Sequence, residues 1–514
     1  MAVAMDPAQP GATPLSQTTA DLENGTMIDV NTPSTLSKTE KEESIHDVDG
    51  QDIAEGFPAD DPRNPYSWST KRRVLHSLAA TVAYFSLILG NAIYVPSVSF
   101  VVEKFHVGPT LSVLPITLYS LGFVFGPAVG TAFTELYGRQ YFFKGALLLA
   151  MVFTIVAGNA TTFRTLCIAR FFAGAFGSPI TGIFGGVLND MWDIPRESLG
   201  TQMTVIYGAI SVIAPFIAPL VGGAIIQDTG NWRWTFHLEA IMLGFSFLCN
   251  LFTPETYRPI LLAKYYPDRP RAHRITIKDA IRIGFGRPFN MLLRDSINLP
   301  TCVLGGFYQA VLYVYYVAYP ILFESTYHFS VYHTGLTFLG LMVGAILGIT
   351  LLGVLDKRVY LPKKIKAEAQ GLQVPPEERL LPGIIGSVLF PIALFWLAWT
   401  GRSSIHWAAP TMSGVLFGIA FIPCSVSLPL YKNEVYGASF GASAFAADTA
   451  VRFLLSATFP LFTEQMIRKL KFEWAISLLA FLSLLCIPCF LFVYKFGARM
   501  RETSLYKPGT TQVV

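Results

Sequence analysis

Four ionisable side chains lie inside stretches otherwise apolar enough to cross a bilayer: Arg170, Glu239, Asp448 and Arg452. On insertion scales a charge at the centre of a membrane helix costs about 2.5–3.5 kcal/mol, so such residues face protein or a water-filled cavity. An acid held there can take up and release a proton, and a nearby cation tunes that exchange. Asp448 and Arg452 stand four apart, the spacing that pairs side chains along one helix face. Glu239 follows Trp232-Arg-Trp-Thr-Phe-His-Leu, a turn or two below one surface, so water access is expected for it. Any proton exchange inside the membrane would have to run through these acids. Asp448 is the preferred carrier, Glu239 the second choice, and Arg170 an electrostatic partner.

Other residues could move the chain or hold a ligand. Glu135-Leu-Tyr-Gly138-Arg139 joins two apolar runs, 111–133 and 142–160, through a turn so short that the runs must be antiparallel neighbours. Glu135, Gly138 and Arg139 carry one charge of each sign around a glycine that can simply stop a helix. Pro215 and Pro219 each remove a backbone donor, and Gly222 and Gly223 follow them. That span should bend and pack closely. Tyr84 and Asn91 in the first apolar run, and Gln309, Tyr313 and Tyr316 on one face of the seventh, suit an organic substrate that is partly apolar and able to be cationic. Tyr316, with Tyr319, equally suits an interfacial aromatic belt. The chain contains no His-Glu-x-x-His and no Walker loop, which excludes an intramembrane zinc protease and an ATP-driven pump. No catalytic residue, metal or cofactor is expected. All six cysteines fall in apolar runs and suggest neither a disulfide framework nor a zinc site.

The elements that position these residues are membrane spans. With 514 residues, 52% hydrophobic and 14% charged, the composition matches no ordinary soluble domain. Apolar runs fall at about 74–95, 111–133, 142–160, 163–188, 199–226 and 233–252, then at about 299–323, 334–355, 381–400, 407–430, 438–461 and 474–496. An all-α membrane protein with twelve transmembrane helices is expected, in two six-helix halves, 64–252 and 299–500. A central loop over 253–298 joins the halves, and a short tail over 501–514 ends the chain. Residues 1–63 form an acidic tail, with twelve acids in the first sixty positions against Lys38 and Lys41, and disorder is expected there. With both termini placed in the cytoplasm, the inner segments carry 26 Lys and Arg against seven outside, a bias that sets the orientation. That count places Lys432 in an inner loop. The basic loops are read as topology determinants, not as nucleic-acid or lipid sites.

Several motifs carry a resemblance. Asn64-Pro-Tyr-Ser-Trp68, Glu135-x-x-Gly138-Arg139, Arg170-x-x-x-Gly174, Pro219 with Gly222-Gly223, Trp232-Arg-Trp-Thr-Phe, Pro254-Glu-Thr-Tyr and Ala442-Ser-Ala resemble the major facilitator superfamily. Within it they are similar to the fungal polyamine/multidrug branch of the drug:proton antiporters. The likeness spans about 64–500. It implies the major facilitator fold, export of small organic compounds in exchange for protons, and a rocking of the two halves about a central site. It also implies that Glu135, Gly138 and Arg139 are gating candidates, with Glu135 docking on a helix end of the other half, and that Arg170 takes part in proton coupling. The sequence departs from the family at Leu136 and Gln140, where basic residues are usual, and at Ala218, Asp448, Glu239 and Glu434. An importer of a nutrient or polyamine on the same fold is the alternative, and a non-transporting receptor a third reading. Protons, a small organic substrate and the lipid bilayer are the expected partners of a monomer. The plasma membrane is the expected location, with the vacuolar membrane as the alternative.

Overall fold

A computed structural model describes residues 57, 61–192, 198–267, 276, 278 and 282–506. The tail expected to be disordered, 1–63, falls outside these residues except at Phe57 and 61–63, where Asp61 is buried and accepts the Arg63 amide. Every regular element among them is helical. Ten stretches are long and apolar enough to cross a membrane, from Thr70–Phe105 to Phe440–Thr503. The last is two helices in one, because Lys471 takes a left-handed φ of 64° and breaks it. Helix Arg233–Leu251, with charges at both Arg233 and Glu239, occupies the place of the sixth span. That helix and the division at Lys471 are where the ten stretches fall short of the twelve crossings expected.

Local chemistry sets where the helices begin and turn. The Thr162 hydroxyl accepts the Thr165 amide at 3.2 Å and starts helix Phe163–Gly177. Ser330 caps helix Val331–Leu355 through the amide of His333 in the same way. Gly138, with φ of 91°, separates helix Gly126–Tyr137 from Arg139–Gly158. A side chain would be strained in that conformation, and a Cβ there would also meet the Glu255 carboxylate at 2.4 Å.

Apolar helices in lipid associate through close packing, which favours small residues at their contacts. Between the halves, span five makes close contacts. A methyl on Gly223 would lie 2.8 Å from the Val331 carbonyl of span eight, while Gly222 packs within its own half, where a methyl would lie 2.6 Å from the Ile93 carbonyl of span one. Gly335 on span eight approaches the Pro219 carbonyl just as closely. Around this crossing Pro96, Pro219, Pro320 and Glu324 leave a void of only about 10 Å³. The proline-glycine stretch of span five is thus a packing seam between halves, at the bundle end remote from Gly138.

One boundary differs from expectation with chemical consequences. Span ten runs to Gly437, not to about 430, and Lys432 lies inside it, 2% exposed. A lysine ended the apolar run in the sequence, but a carboxylate compensates its charge within the bundle.

Candidate functional site

Arg170 and Glu239 are fully buried and face each other, with Nη1 3.0 Å from Oε2. Four spans build this pair. Arg170 comes from span four and donates a second bond to the Gly90 carbonyl of span one at 2.8 Å. Glu239 comes from span six. The Tyr119 hydroxyl of span two lies 3.3 Å from Glu239 Oε1 and 3.0 Å from the Leu87 carbonyl, and the guanidinium sits 3.9 Å over the Tyr119 ring. Gly90 makes room for the acid, since a Cβ there would stand 2.0 Å from Oε1. Glu239 is therefore not water-exposed as its shallow sequence position suggested, and Arg170 partners Glu239, not Asp448. Helix packing turns Glu239 inward, a fact its own span cannot reveal.

The second half holds a larger cluster. Asp448 Oδ2 accepts from Arg452 Nε at 2.5 Å, the pairing that the four-residue spacing suggests. Its other oxygen accepts from Lys432 Nζ at 2.6 Å. Lys432 Nζ also lies 3.1 Å from Cys302 Sγ on span seven, and Arg452 donates to the Ser425 carbonyl at 3.1 Å. Asp448 is 1% exposed, while the Arg452 side chain keeps 11% of its surface. One turn beyond Lys432, the Tyr436 hydroxyl donates to Asp295 at the start of span seven. Sequence reasoning missed Lys432 and Asp295. The available signal was a lone lysine sixteen residues before Asp448, with Gly437 between them where the chain can fold back.

The turn at Gly138, expected from the resemblance to gate, sits in a third group of charges. Arg139 Nη2 donates to Asp190 Oδ1 at 3.1 Å, with Nε 2.7 Å from Oδ2. The Arg139 and Gln140 amides donate to the two oxygens of Glu255 at 3.0 and 3.1 Å. Glu255 thereby caps helix Arg139–Gly158, where exposed amides favour an anion. Thr256 donates to Asp190 at 3.1 Å. The second half repeats the device: Arg379, entering span nine, pairs with Glu434 at the end of span ten and with Asp356 after span eight. Glu135 lies on helix Gly126–Tyr137, but its side chain is outside those described. The described partners of Arg139 are Asp190 of its own half and, at the start of the central loop, Glu255 and Tyr257.

The proposed substrate-facing residues divide into buried and half-buried groups. Tyr313 and Tyr316 are buried, with ring centres 5.1 Å apart, and the Tyr316 hydroxyl donates to the Pro215 carbonyl across the two halves at 3.1 Å. Tyr319 is buried too, so neither it nor Tyr316 belongs to an interfacial belt. Asn91 donates to Ser120 at 3.0 Å, and Tyr84 stacks on Phe184 at 4.9 Å. Gln309 is half-buried on span seven. Among the described residues no cluster of three His, Cys, Asp or Glu could hold a metal ion.

Comparison with known proteins decides the family. The model of the Major Facilitator Superfamily matches residues 80–460. The chain belongs to that superfamily. It is 33% identical to the multidrug transporter mdrA of Aspergillus fumigatus over 464 residues, covering 87% of this chain and 74% of the relative. The efflux pump FUB11 of Gibberella moniliformis is 32% identical, with 89% and 78% covered. Polyamine transporter 4 of Saccharomyces cerevisiae is 29% identical, with 94% and 79% covered. In fold the chain is similar to the xylose transporter XylE from E. coli in a partially occluded inward open conformation. The TM-score is 0.59 at 15% identity, covering 82% of this chain and 99% of that one. This major facilitator chain is a multi-pass membrane transporter of small organic compounds, and its family and fold are those of a transporter, not an enzyme.

Proposed function

We propose that this transporter exports organic compounds in exchange for protons, by alternating access of its two halves to a central site. The observation that carries the reading is the completely buried Arg170–Glu239 pair, joined to two other spans, span one at Gly90 and Leu87 and span two at Tyr119. An acid sealed from water with a single cationic partner is a group that can be neutralised by a proton at the cost of one ion pair. Asp448 would strand two cations on protonation, Lys432 and Arg452. Geometry thus reverses the preference of the sequence reading, and Glu239 becomes the proposed proton carrier. Protonation of Glu239 frees Arg170, which retains the Gly90 carbonyl and the Tyr119 ring. Release of that pair loosens the contacts among spans one, two, four and six, which is a differential interaction of the kind that can shift a two-state equilibrium. The likeness to multidrug and efflux transporters supports organic compounds as cargo and export as the direction.

The test uses the full chain in sealed vesicles, a panel of fluorescent cationic and neutral dyes, and an internal pH indicator. Wild type should export faster when a proton gradient is imposed, and export should carry protons the other way. Glu239→Gln should keep dye exchange at equal concentrations while losing acceleration by the gradient. If Glu239→Gln still follows the gradient, Glu239 is not the carrier. If wild type accumulates dyes in the opposite sense, the exporter reading fails.

A further inference from the structure

Just before span seven, an irregular helical turn over Arg282–Gly286 runs into helix Arg287–Arg294. One side packs on the protein: Pro288 and Met291 are buried, and Arg287 stacks over the ring of Phe440 at the start of span eleven. The other side is apolar and open. Phe285, Phe289 and Leu293, spaced by four, are 37%, 62% and 61% exposed. A four-residue spacing drifts only slowly around a helix, so the three make one stripe. The stripe continues into Leu299 and Val303, exposed on the outward face of span seven where lipid is expected. Arg282 and Arg294 flank it, both exposed, and among the described residues neither forms an ion pair. Two exposed lysines of helix Leu361–Ala369 differ, because Lys363 and Lys364 meet Glu378 and Glu368.

A short basic helix with an apolar stripe, continuous with a membrane-facing surface, has the physical form of an interfacial helix. We propose that residues 282–294 lie in the surface of the lipid leaflet beside Arg139 and Arg379. Phe289 and Leu293 would enter the acyl boundary, and Arg282 and Arg294 would bind anionic phospholipid headgroups. The orientation that follows from the Lys and Arg bias makes this the cytoplasmic leaflet, where anionic lipid attracts basic segments. This helix joins the central loop to the second half. Its seating therefore couples the position of span seven to the charge of the leaflet.

The experiment places a nitroxide label at Phe289→Cys in the full chain, with Cys249 and Cys489, the two cysteines not buried, replaced by serine. Val303→Cys serves as the lipid-facing reference. The protein is reconstituted in phosphatidylcholine vesicles with or without about 30% phosphatidylserine. The label at 289 should relax with oxygen dissolved in the lipid more than with a water-soluble nickel complex, and the more so with phosphatidylserine. Adding Arg282→Ala and Arg294→Ala should lower the ratio of seated to lifted helix about fivefold per arginine. Dominant access of the nickel complex would overturn the proposal. So would protection from both relaxing agents, which would mean a protein segment covers the stripe. A phosphatidylserine effect unchanged by the arginine substitutions would overturn the headgroup assignment. The reference label at 303 shows whether each variant has folded and inserted.

Discussion

Two buried charge clusters divide the labour differently between the halves. In the first half one acid and one base are sealed from water, and their remaining bonds go to backbone carbonyls and a tyrosine. In the second, one acid serves two bases, and Arg452 retains some exposed surface. None of the described hydrogen bonds of either cluster crosses to the other half. The difference teaches which cluster can change charge cheaply. A pair with one partner breaks once, whereas a triad must lose two contacts together, so the triad is built to persist through the cycle.

The largest effect should come from removing one side of the pair. Arg170→Leu leaves the Glu239 carboxylate buried without a cation, an arrangement that costs about 3–5 kcal/mol. Abundance and melting temperature in detergent should both fall sharply, and export should cease. Arg170→Leu combined with Glu239→Leu should recover most of the stability while remaining inactive. A double variant as unstable as the single would show that packing around Gly90, not charge, is what Arg170 provides.

Next in size is the turn at Gly138, which lies outside both clusters and whose gating role is the point under test. Gly138→Val forces a β-branched residue into a left-handed backbone and against Glu255, strain on the order of 1–3 kcal/mol. Arg139→Ala removes the double contact to Asp190. Both variants should reach the membrane at near-normal abundance and export at least tenfold more slowly, a factor equal to about 1.4 kcal/mol. Export at the wild-type rate by both would show that this turn does not bias the cycle, and the comparison would reduce to the two clusters alone.

The triad sharpens the contrast at a smaller scale. Because Asp448 has two cations, Lys432→Met and Arg452→Met each leave it one, and each should cost less stability than Arg170→Leu, about 1–3 kcal/mol. Asp448→Asn should preserve the dependence of export on a proton gradient, unlike Glu239→Gln. Loss of that dependence in Asp448→Asn, measured across pH 5–8 with cationic and neutral dyes, would return the carrier to the second half.

How much of this was legible in the sequence follows from the range of each interaction. Spans could be read because burial in lipid is a property of a continuous apolar run. The turn at Gly138 and the pairing of Asp448 with Arg452 could be read because both are local, within one or two helical turns. The Arg170–Glu239 pair spans 69 positions and needs four helices to be packed before it exists. Glu239 read as shallow and wet because its own span shows only distance from a surface. Lys432 misled for a related reason: a lysine ends an apolar run unless its acid is known, and that acid lies on the next helix. Glu255 sits in the quoted Pro254-Glu-Thr-Tyr stretch, yet its role as cap to Arg139 appears only when spans three and six meet.

The smallest expected effect concerns how the clusters communicate, since no described hydrogen bond of either one crosses the halves. Beside Arg452 in sequence, Phe453 meets Phe123 of the first half with ring centres 4.8 Å apart. Phe123 packs on Tyr119 at 5.2 Å, and the Tyr119 hydroxyl bonds Glu239. Asp448, Arg452, Phe453, Phe123, Tyr119 and Glu239 thus form a continuous physical chain between the clusters. Proximity alone does not make a pathway, so the prediction is a coupling energy. Phe123→Leu and Phe453→Leu keep apolar volume and remove one ring each, so each should alter stability by under about 1.5 kcal/mol. An aromatic pair contributes about 0.5–1.5 kcal/mol beyond burial, which bounds the effect on export at roughly two- to twelvefold. The informative quantity is the cycle with Asp448→Asn. If the rings transmit the state of the triad, Asp448→Asn should change export rate in wild type by more than it does in Phe453→Leu, with a non-additive remainder of at least about 0.5 kcal/mol. Strict additivity would mean that the two halves sense each other elsewhere, with the Tyr316 bond to Pro215 the next candidate to remove.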